Sequence, residues 1–251
     1  MKLLASDYDG TLNRNRSIIK EDIEAIERWR ADGNLFGLVT GRGFPGADHE
    51  MKHYGIDYDF LICNNGSAIY KSNGKLYDEI TGDNVVLKPL IRCIMDYKGE
   101  RAAISGGRDR VCVKLDYIFN RNENENFIDF DEIDSIRFSF TQVDTNAITD
   151  SNAEKLAAEI NRDFGDYVYA HQNGTNVDIT PAGVSKPGGI YRLMKLFGIS
   201  KKDTFVVGDN FNDLEMIREF DGFAVSSGNP AVVSQASRVY DTIAELIEDI
   251  L

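Results

Sequence analysis

Asp7 and Asp9, followed at once by Gly10-Thr11, place two carboxylates directly behind the apolar run Leu3-Leu4-Ala5. On an extended strand end, residues i and i+2 point to the same side, so both acids face one cleft. Gly10 lets the chain turn away immediately afterwards. Close carboxylates repel each other, and a fold gains nothing from that unless a cation or a reaction uses them. An isolated Asp-Gly pair is an ordinary turn. The whole D-x-D-G-T pattern behind an N-terminal strand reads as a site.

Three further stretches carry residues that suit the same chemistry. The apolar run Asn34 to Val39 ends in Thr40-Gly41-Arg42; Val184-Ser185-Lys186 opens a helix; and Thr204 to Val207 ends in Gly208-Asp209-Asn210-Phe211-Asn212-Asp213. Several acids with one lysine and one hydroxyl are poorly explained by folding alone. A hard divalent cation resolves the repulsion, and Mg²⁺ takes a few carboxylates plus waters and substrate oxygens. Bound Mg²⁺ then attracts phosphate. A carboxylate pinned beside metal and phosphate can act as nucleophile, giving an aspartyl phosphate. A second one can protonate the leaving oxygen and later deprotonate the attacking water. Thr40 and the amides of Gly41 and Arg42 can hold phosphoryl oxygens near a helix start, while Lys186 neutralises charge on both reacting groups. The Arg42 side chain either binds phosphate or pairs with a nearby acid.

The elements that must position these residues follow from pattern. Ile19, Ile23, Ile26 and Trp29 have helical spacing over Lys20 to Asp32, and Gly33 stops that helix. Strands over Asn34 to Val39 and Phe60 to Cys63 flank a helix over about Phe44 to Tyr54. Strand, helix, strand, helix, strand at this spacing predicts a doubly wound parallel sheet, α/β in class, with its chemistry at the carboxyl ends of the strands. Asp7, Thr40 and Asn64-Asn65 all lie at such ends. The order then changes. A hairpin around Asn73-Gly74 is followed by a helix (Val85 to Tyr97), strands (Arg101 to Ser105, Arg110 to Leu115, Ser135 to Thr141), a helix (Asn152 to Phe164) and a second hairpin (Tyr167 to His171, Thr175 to Ile179). This mixture predicts an inserted α+β domain over 82–183, within a core made of 1–81 and 184–251. The core pattern resumes with a helix to Leu196, strands at Thr204 to Val207 and Phe223 to Val225, and a final amphipathic helix over Thr242 to Leu251.

Composition bounds the partners. A chain of 251 residues, 42% hydrophobic, buries a real core, and a formal net charge of -13 disfavours nucleic acid and anionic membranes. Cys63, Cys93 and Cys112 lack paired spacing and read as buried thiols in a reducing compartment. No apolar run reaches membrane-spanning length. The expectation is a cytoplasmic protein, a monomer or weak homodimer, whose partner is a small phosphorylated metabolite. The polar segment 121–126 reads as a solvated loop, and Asp129, Asp131, Glu132 and Asp134 as surface acids, because the glycine and terminal glutamate of a calcium loop are missing. His49, His53 and His171 show no ligand spacing.

The motifs D-Y-D-G-T (Asp7 to Thr11), V-T-G-R (Val39 to Arg42), V-S-K (Val184 to Lys186) and G-D-N-F-N-D-L-E-M (Gly208 to Met216) together resemble those of the haloacid dehalogenase-like (HAD) phosphatases, Cof-type sugar-phosphate phosphatases among them. The resemblance covers four motifs in order and implies a Rossmann-like core with an α/β cap between the second and third. It also implies roles. Asp7 is the nucleophile and Asp9 the general acid/base, with its backbone carbonyl on the metal. Thr40 and Lys186 bind the transferring phosphoryl group. Asp209 is a metal ligand, Asp213 supports the metal through its waters or Lys186, and Asn210 or Asn212 reaches metal waters or phosphate. Asn65-Gly66 lie behind the site, and the cap closes over the substrate and selects it. Two features depart from the subgroup: Pro187 stands where glycine is usual, and the segment after Ser237 is short.

A receiver-like reading fails, because the third strand ends in Cys63-Asn64-Asn65 rather than aspartate. A silent phosphate-binding protein would have no use for both Asp7 and Asp9. Phosphomutase activity on a sugar phosphate stays open, since the same residues serve it. The family's ion pumps and dehalogenases do not call for a carboxylate at Asp9. Among the cap residues, Asn173, Thr175, Asn176 and Asp178 alternate on a hairpin and face either substrate or solvent.

Overall fold

A computed structural model describes residues 1–115 and 126–251 of the chain. The expected loop over 121–126 therefore lies, apart from Asn126, outside the described residues.

The chain begins with β1 (Leu3–Ser6), α1 (Lys20–Ala31), β2 (Leu35–Val39), α2 (Phe44–His53) and β3 (Phe60–Cys63). β4 (Ala68–Lys71) and β5 (Leu76–Glu79) follow, joined by a turn in which Gly74 N–H donates to Lys71 O. The next segment holds α3 (Leu87–Asp96), β6 (Ala102–Gly106), β7 (Asp109–Val113), β8 (Phe127–Ile128), β9 (Gln142–Asn146), α4 (Asp150–Asp163), β10 (Val168–Asn173) and β11 (Asn176–Pro181). The chain closes with α5 (Lys186–Phe197), β12 (Thr204–Gly208), α6 (Leu214–Glu219), β13 (Phe223–Val225), α7 (Pro230–Val233), β14 (Arg238–Tyr240) and α8 (Ile243–Ile250). Two compact units result: Met1–Asp78 with Ser185–Leu251, and Glu79–Val184.

The first unit is an eight-stranded sheet in the order β14-β13-β12-β1-β2-β3-β4-β5. All pairings from β14 to β3 are parallel, and β4 returns antiparallel to β3. A sheet buried on both faces needs apolar residues of both parities, and β1 supplies them. Leu3 and Ala5 enter one cluster with Ile62, Val206 and the α5 residues Ile190 and Leu193. Leu4 enters the opposite cluster with Ile26, Trp29 and Leu246 of α1 and α8. The same alternation sends Asp7 toward the α5 side and Tyr8 into the α1 side, where its ring is fully buried. The two faces of β1 thus assign its end residues before any chemistry is considered.

The second unit is a six-stranded sheet, β10-β11-β9-β6-β7-β8, antiparallel except for the β7–β8 pair. Its core gathers Ile104, Val143 and Ile179 with Leu90, Ile94, Leu156 and Ile160 of α3 and α4. One expected strand is displaced. Ser135 to Thr141 is not a strand; the central strand is Gln142–Asn146. Ile136, Phe138 and Phe140 alternate like strand residues, yet their backbone runs irregularly. Gly82 N–H donates to Phe140 O at 2.8 Å and Asn84 Nδ2 to Phe138 O at 2.8 Å, so this segment is tied to the start of the unit instead. Val143, packed in the core between its neighbours, sets the register of the true strand. Asp129 caps a 3-10 helix over Phe130–Ser135 reciprocally with Glu132, and Asp134 pairs with Lys88 at 2.5 Å. The three cysteines are free and buried, as their spacing implied.

Candidate active site

Asp7 follows β1, and its N–H donates to Val207 O at 2.9 Å. The turn behind it is closed by Leu12 and Asn13 N–H groups donating to Asp7 O and Tyr8 O, with Gly10 at φ +93°. That left-handed φ favours glycine, and a Cβ at Gly10 would also overlap the Asp209 carboxylate. The two acid-bearing strand ends approach as closely as they do because residue 10 has no side chain. Thr11 Oγ1 then donates to Asp209 Oδ1 at 2.8 Å.

Lys186 is the first residue of α5, behind the N-cap Ser185, whose Oγ accepts from Gly188 N–H. Pro187 fits here because the first helical turn leaves amides unpaired in any case. Lys186 Nζ donates to Asp7 Oδ1 at 2.8 Å and to Asp213 Oδ1 at 2.6 Å, and all three side chains are buried. Asp213 Oδ2 accepts from the N–H groups of Asp209 (3.0 Å) and Asn210 (3.2 Å). Asp213 therefore orders the 209–213 loop while holding the lysine.

Carboxylate oxygens of Asp7, Asp209 and Asp213 all lie within 4.8 Å of one another, the group among the described residues suited to hold a metal ion. Burial first, then the Asp213 charge, pushes the Asp7 carboxyl well above its usual range despite Lys186. Burial and Asp213 likewise push Asp209 up to about 6, against the Thr11 hydrogen bond and Lys186. For Lys186, burial disfavours the charge, but Asp213 and Asp7 outweigh it and hold the ammonium above its usual value. One lysine does not compensate three acids. Asn212 Oδ1 is also buried without a hydrogen-bond partner. This donor set, hard oxygens with charge to spare, fits a divalent cation such as Mg²⁺.

Asp9 stands apart from that group. Its carboxylate is held bidentately by Arg42, Nε to Oδ2 and Nη2 to Oδ1, both at 2.7 Å, and is more than half exposed. Arg42 thus takes the acid-pairing option of the two left open by its sequence. Its N–H donates to Thr40 Oγ1 at 3.1 Å, so that amide is turned inward to the threonine. Thr40 is buried, its N–H donates to Ile62 O, and its carbonyl accepts from Asn65 N–H at 3.0 Å. Gly41 lies in the turn between Thr40 and Gly43, the N-cap of α2. At Gly66, φ +108° and Ser185 O, which a Cβ would overlap, let the loop after β3 sit against the start of α5. The sequence reading gave no role to Thr11, Tyr8 or Glu50, all of which contact site residues. Thr11 was available from its place in D-x-D-G-T; Glu50 carried no signal, being one of two acids on α2 and part of no motif.

In the second unit, Asn146 Nδ2 donates to Thr175 Oγ1 and Asn176 Oδ1, so two hairpin residues have intramolecular partners. His171 stacks edge-on against Tyr169.

The family model of the haloacid dehalogenase-like hydrolases matches residues 4–245. The chain belongs to this family. It is 24% identical over 248 residues to the 5-amino-6-(5-phospho-D-ribitylamino)uracil phosphatase of Escherichia coli, covering 94% of this chain and 89% of that one. A second phosphatase of the same name, from Bacillus subtilis, is 22% identical over 243 residues, covering 96% and 90%. A solved haloacid dehalogenase-like hydrolase from B. subtilis superposes with a TM-score of 0.86 at 19% identity, each chain covered in full. The doubly wound core is therefore that of the HAD hydrolases, as the four motifs implied. Among the described residues, no helix is long and apolar enough to cross a membrane.

Proposed function

We propose that this HAD hydrolase is a Mg²⁺-dependent phosphomonoesterase acting on a small phosphorylated metabolite through an aspartyl phosphate. The observation that carries the reading is the buried Asp7–Lys186–Asp213 cluster with Asp209 beside it. Two relatives named as phosphatases of a ribityl phosphate support a polyol or sugar phosphate as the substrate class.

Asp7, Asp209 and the 209–213 loop would hold the cation, which supplies charge neutralisation for the incoming phosphate. An Asp7 carboxylate oxygen attacks phosphorus, the bond to the ester oxygen breaks, and Asp9 delivers its proton to the departing alcohol. Water then attacks the phosphoryl group with its proton passing to Asp9, and the bond to Asp7 breaks, releasing inorganic phosphate. Lys186 keeps Asp7 oriented and offsets charge as the phosphoryl group transfers. Thr40 lies at the end of β2 as a hydroxyl for phosphoryl oxygens. Selection of the substrate belongs to the 79–184 unit. Free buried cysteines support a reducing, cytoplasmic setting, and the charge of -13 disfavours nucleic acid and anionic membranes as partners.

The test is release of p-nitrophenol from p-nitrophenyl phosphate with Mg²⁺, with chelator, and with Asp7→Asn. Metal-dependent release absent from the variant supports the reading; equal release with chelator, or by Asp7→Asn, overturns it.

A further inference from the structure

Four side chains outside the carboxylate–lysine cluster form one connected network that ends on Asp9. Asn13 Nδ2 donates to the Tyr8 hydroxyl at 2.8 Å, and that hydroxyl donates to Glu50 Oε2 at 2.7 Å. Glu50 Oε1 accepts from Arg42 Nη1 at 2.9 Å, and the Arg42 guanidinium lies 4.8 Å over the Tyr8 ring. The other two guanidinium nitrogens of Arg42, Nε and Nη2, donate to Asp9. Nη1 of the guanidinium fork is thus held by a helix residue, its Nε and Nη2 edge by Asp9, and its flat face lies over a buried ring.

We propose that Glu50, with Tyr8, is a positioning residue for the general acid/base: it fixes Arg42, and Arg42 fixes the Asp9 carboxylate. The inference rests on the phosphatase reading above. Asp9 is more than half exposed, so nothing but Arg42 restrains its side chain among the contacts described. Arg42 in turn is a long side chain on a loop that follows Gly41, and it needs its own anchors. Glu50 comes from the middle of α2 and Tyr8 from the β1 end, whose ring is immobilised in the core. The Tyr8 hydroxyl accepts from Asn13, which leaves its own proton for Glu50. An exposed ion pair contributes little to folding, and this geometry is better suited to orientation. Because Arg42 keeps Glu50, it can release one contact to Asp9 as that carboxyl turns to the ester oxygen, without losing its place.

The experiment compares kcat/KM for p-nitrophenyl phosphate and phenyl phosphate in the wild type, Glu50→Gln and Tyr8→Phe. The two esters have similar shape, but phenolate is the more basic leaving group and needs the proton more. Glu50→Gln should raise the ratio of the two kcat/KM values by about tenfold, the penalty of a displaced proton donor falling on phenyl phosphate. Tyr8→Phe should shift it in the same direction by less. An unchanged ratio, with both esters slowed equally, overturns the proposal and leaves these residues a structural role only. Should Glu50→Gln fail to fold, Tyr8→Phe decides by the same ratio. Absence of metal-dependent release by the wild type from either ester sinks the phosphatase reading itself, which separates the two failures.

Discussion

Lys186 Nζ stands 2.6 Å from Asp213 Oδ1 with both side chains sealed from solvent. A buried ammonium at the first position of a helix is doubly disfavoured, by desolvation and by the positive end of the helix dipole. It persists because Asp7, after β1, and Asp213, in the loop after the neighbouring parallel strand β12, both meet it. The same two contacts fix the direction in which Asp7 presents its carboxylate.

Lys186→Met should therefore do more than remove a phosphate-binding charge. It leaves Asp7 and Asp213 buried without a cation, and breaking a buried pair from one side costs about 3–5 kcal/mol. The expected result is a large fall in Tm together with loss of turnover, and added Mg²⁺ should recover part of the Tm. Thermal denaturation with and without Mg²⁺ measures both; a variant as stable as the wild type without metal would contradict the arrangement.

Gly10→Ala tests how closely the two acid-bearing strand ends must approach. Both the φ of +93° and the Asp209 carboxylate oppose a Cβ there. Asp209 has to shift, and the Thr11 bond to it goes with it. Displacements of about 1 Å at a reacting group can cost 10²-fold in rate. The expected change is a higher Mg²⁺ concentration for half-maximal activity and about 10²-fold lower kcat, read from a Mg²⁺ titration of turnover. Unaltered Mg²⁺ dependence would mean that Asp209 does not hold the metal.

The core and its strand-end site residues were legible because each lies where an apolar run stops at a turn signal: Leu3 to Ala5 ahead of Asp7, Val39 before Thr40, Val207 before Gly208-Asp209. What the sequence hides is long-range pairing. Arg42 offered phosphate and acid equally, and only the packing of α2 beside the β1 end shows that Asp9 and Glu50 take it. The displaced strand has a different cause. Both Ile136–Phe140 and Gln142–Asn146 alternate with period two, and the more apolar one reads as the strand. The sheet instead uses the stretch whose polar face is paired, with Asp144 taken up by Arg110 at 3.0 and 3.2 Å. β14 escaped notice because Arg238–Tyr240 is a three-residue edge strand, largely exposed.

Asp7→Asn separates catalysis from folding. The ionised Asp7 carboxylate is disfavoured by burial and by Asp213 more than Lys186 favours it. Removing its charge at constant volume should leave the metal-free Tm no lower than that of the wild type, while turnover falls to background. A drop in Tm of several degrees would show that the Asp7–Lys186 contact outweighs the burial cost.

The Asp209 carboxyl gives a pH dependence of determined sign. Its value is about 6 in the folded protein against the ordinary 3.8. A carboxyl raised on folding binds its proton more tightly in the folded state, so its stabilising contribution is whole below the ordinary value. It is lost as pH rises from about 4 through about 6. Asp7 acts in the same direction. The metal-free protein should therefore lose stability across this window, relative to an Asp209→Asn variant that lacks the titration. Mg²⁺ competes with the proton for the same oxygens. Its stabilisation, read as the gain in Tm over the chelated protein, should be small near pH 5 and grow through pH 6 to 7. A gain that is flat across that range, or one that Asp209→Asn leaves untouched, would remove Asp209 from the metal site and leave Asp7 and Asp213 to hold the cation.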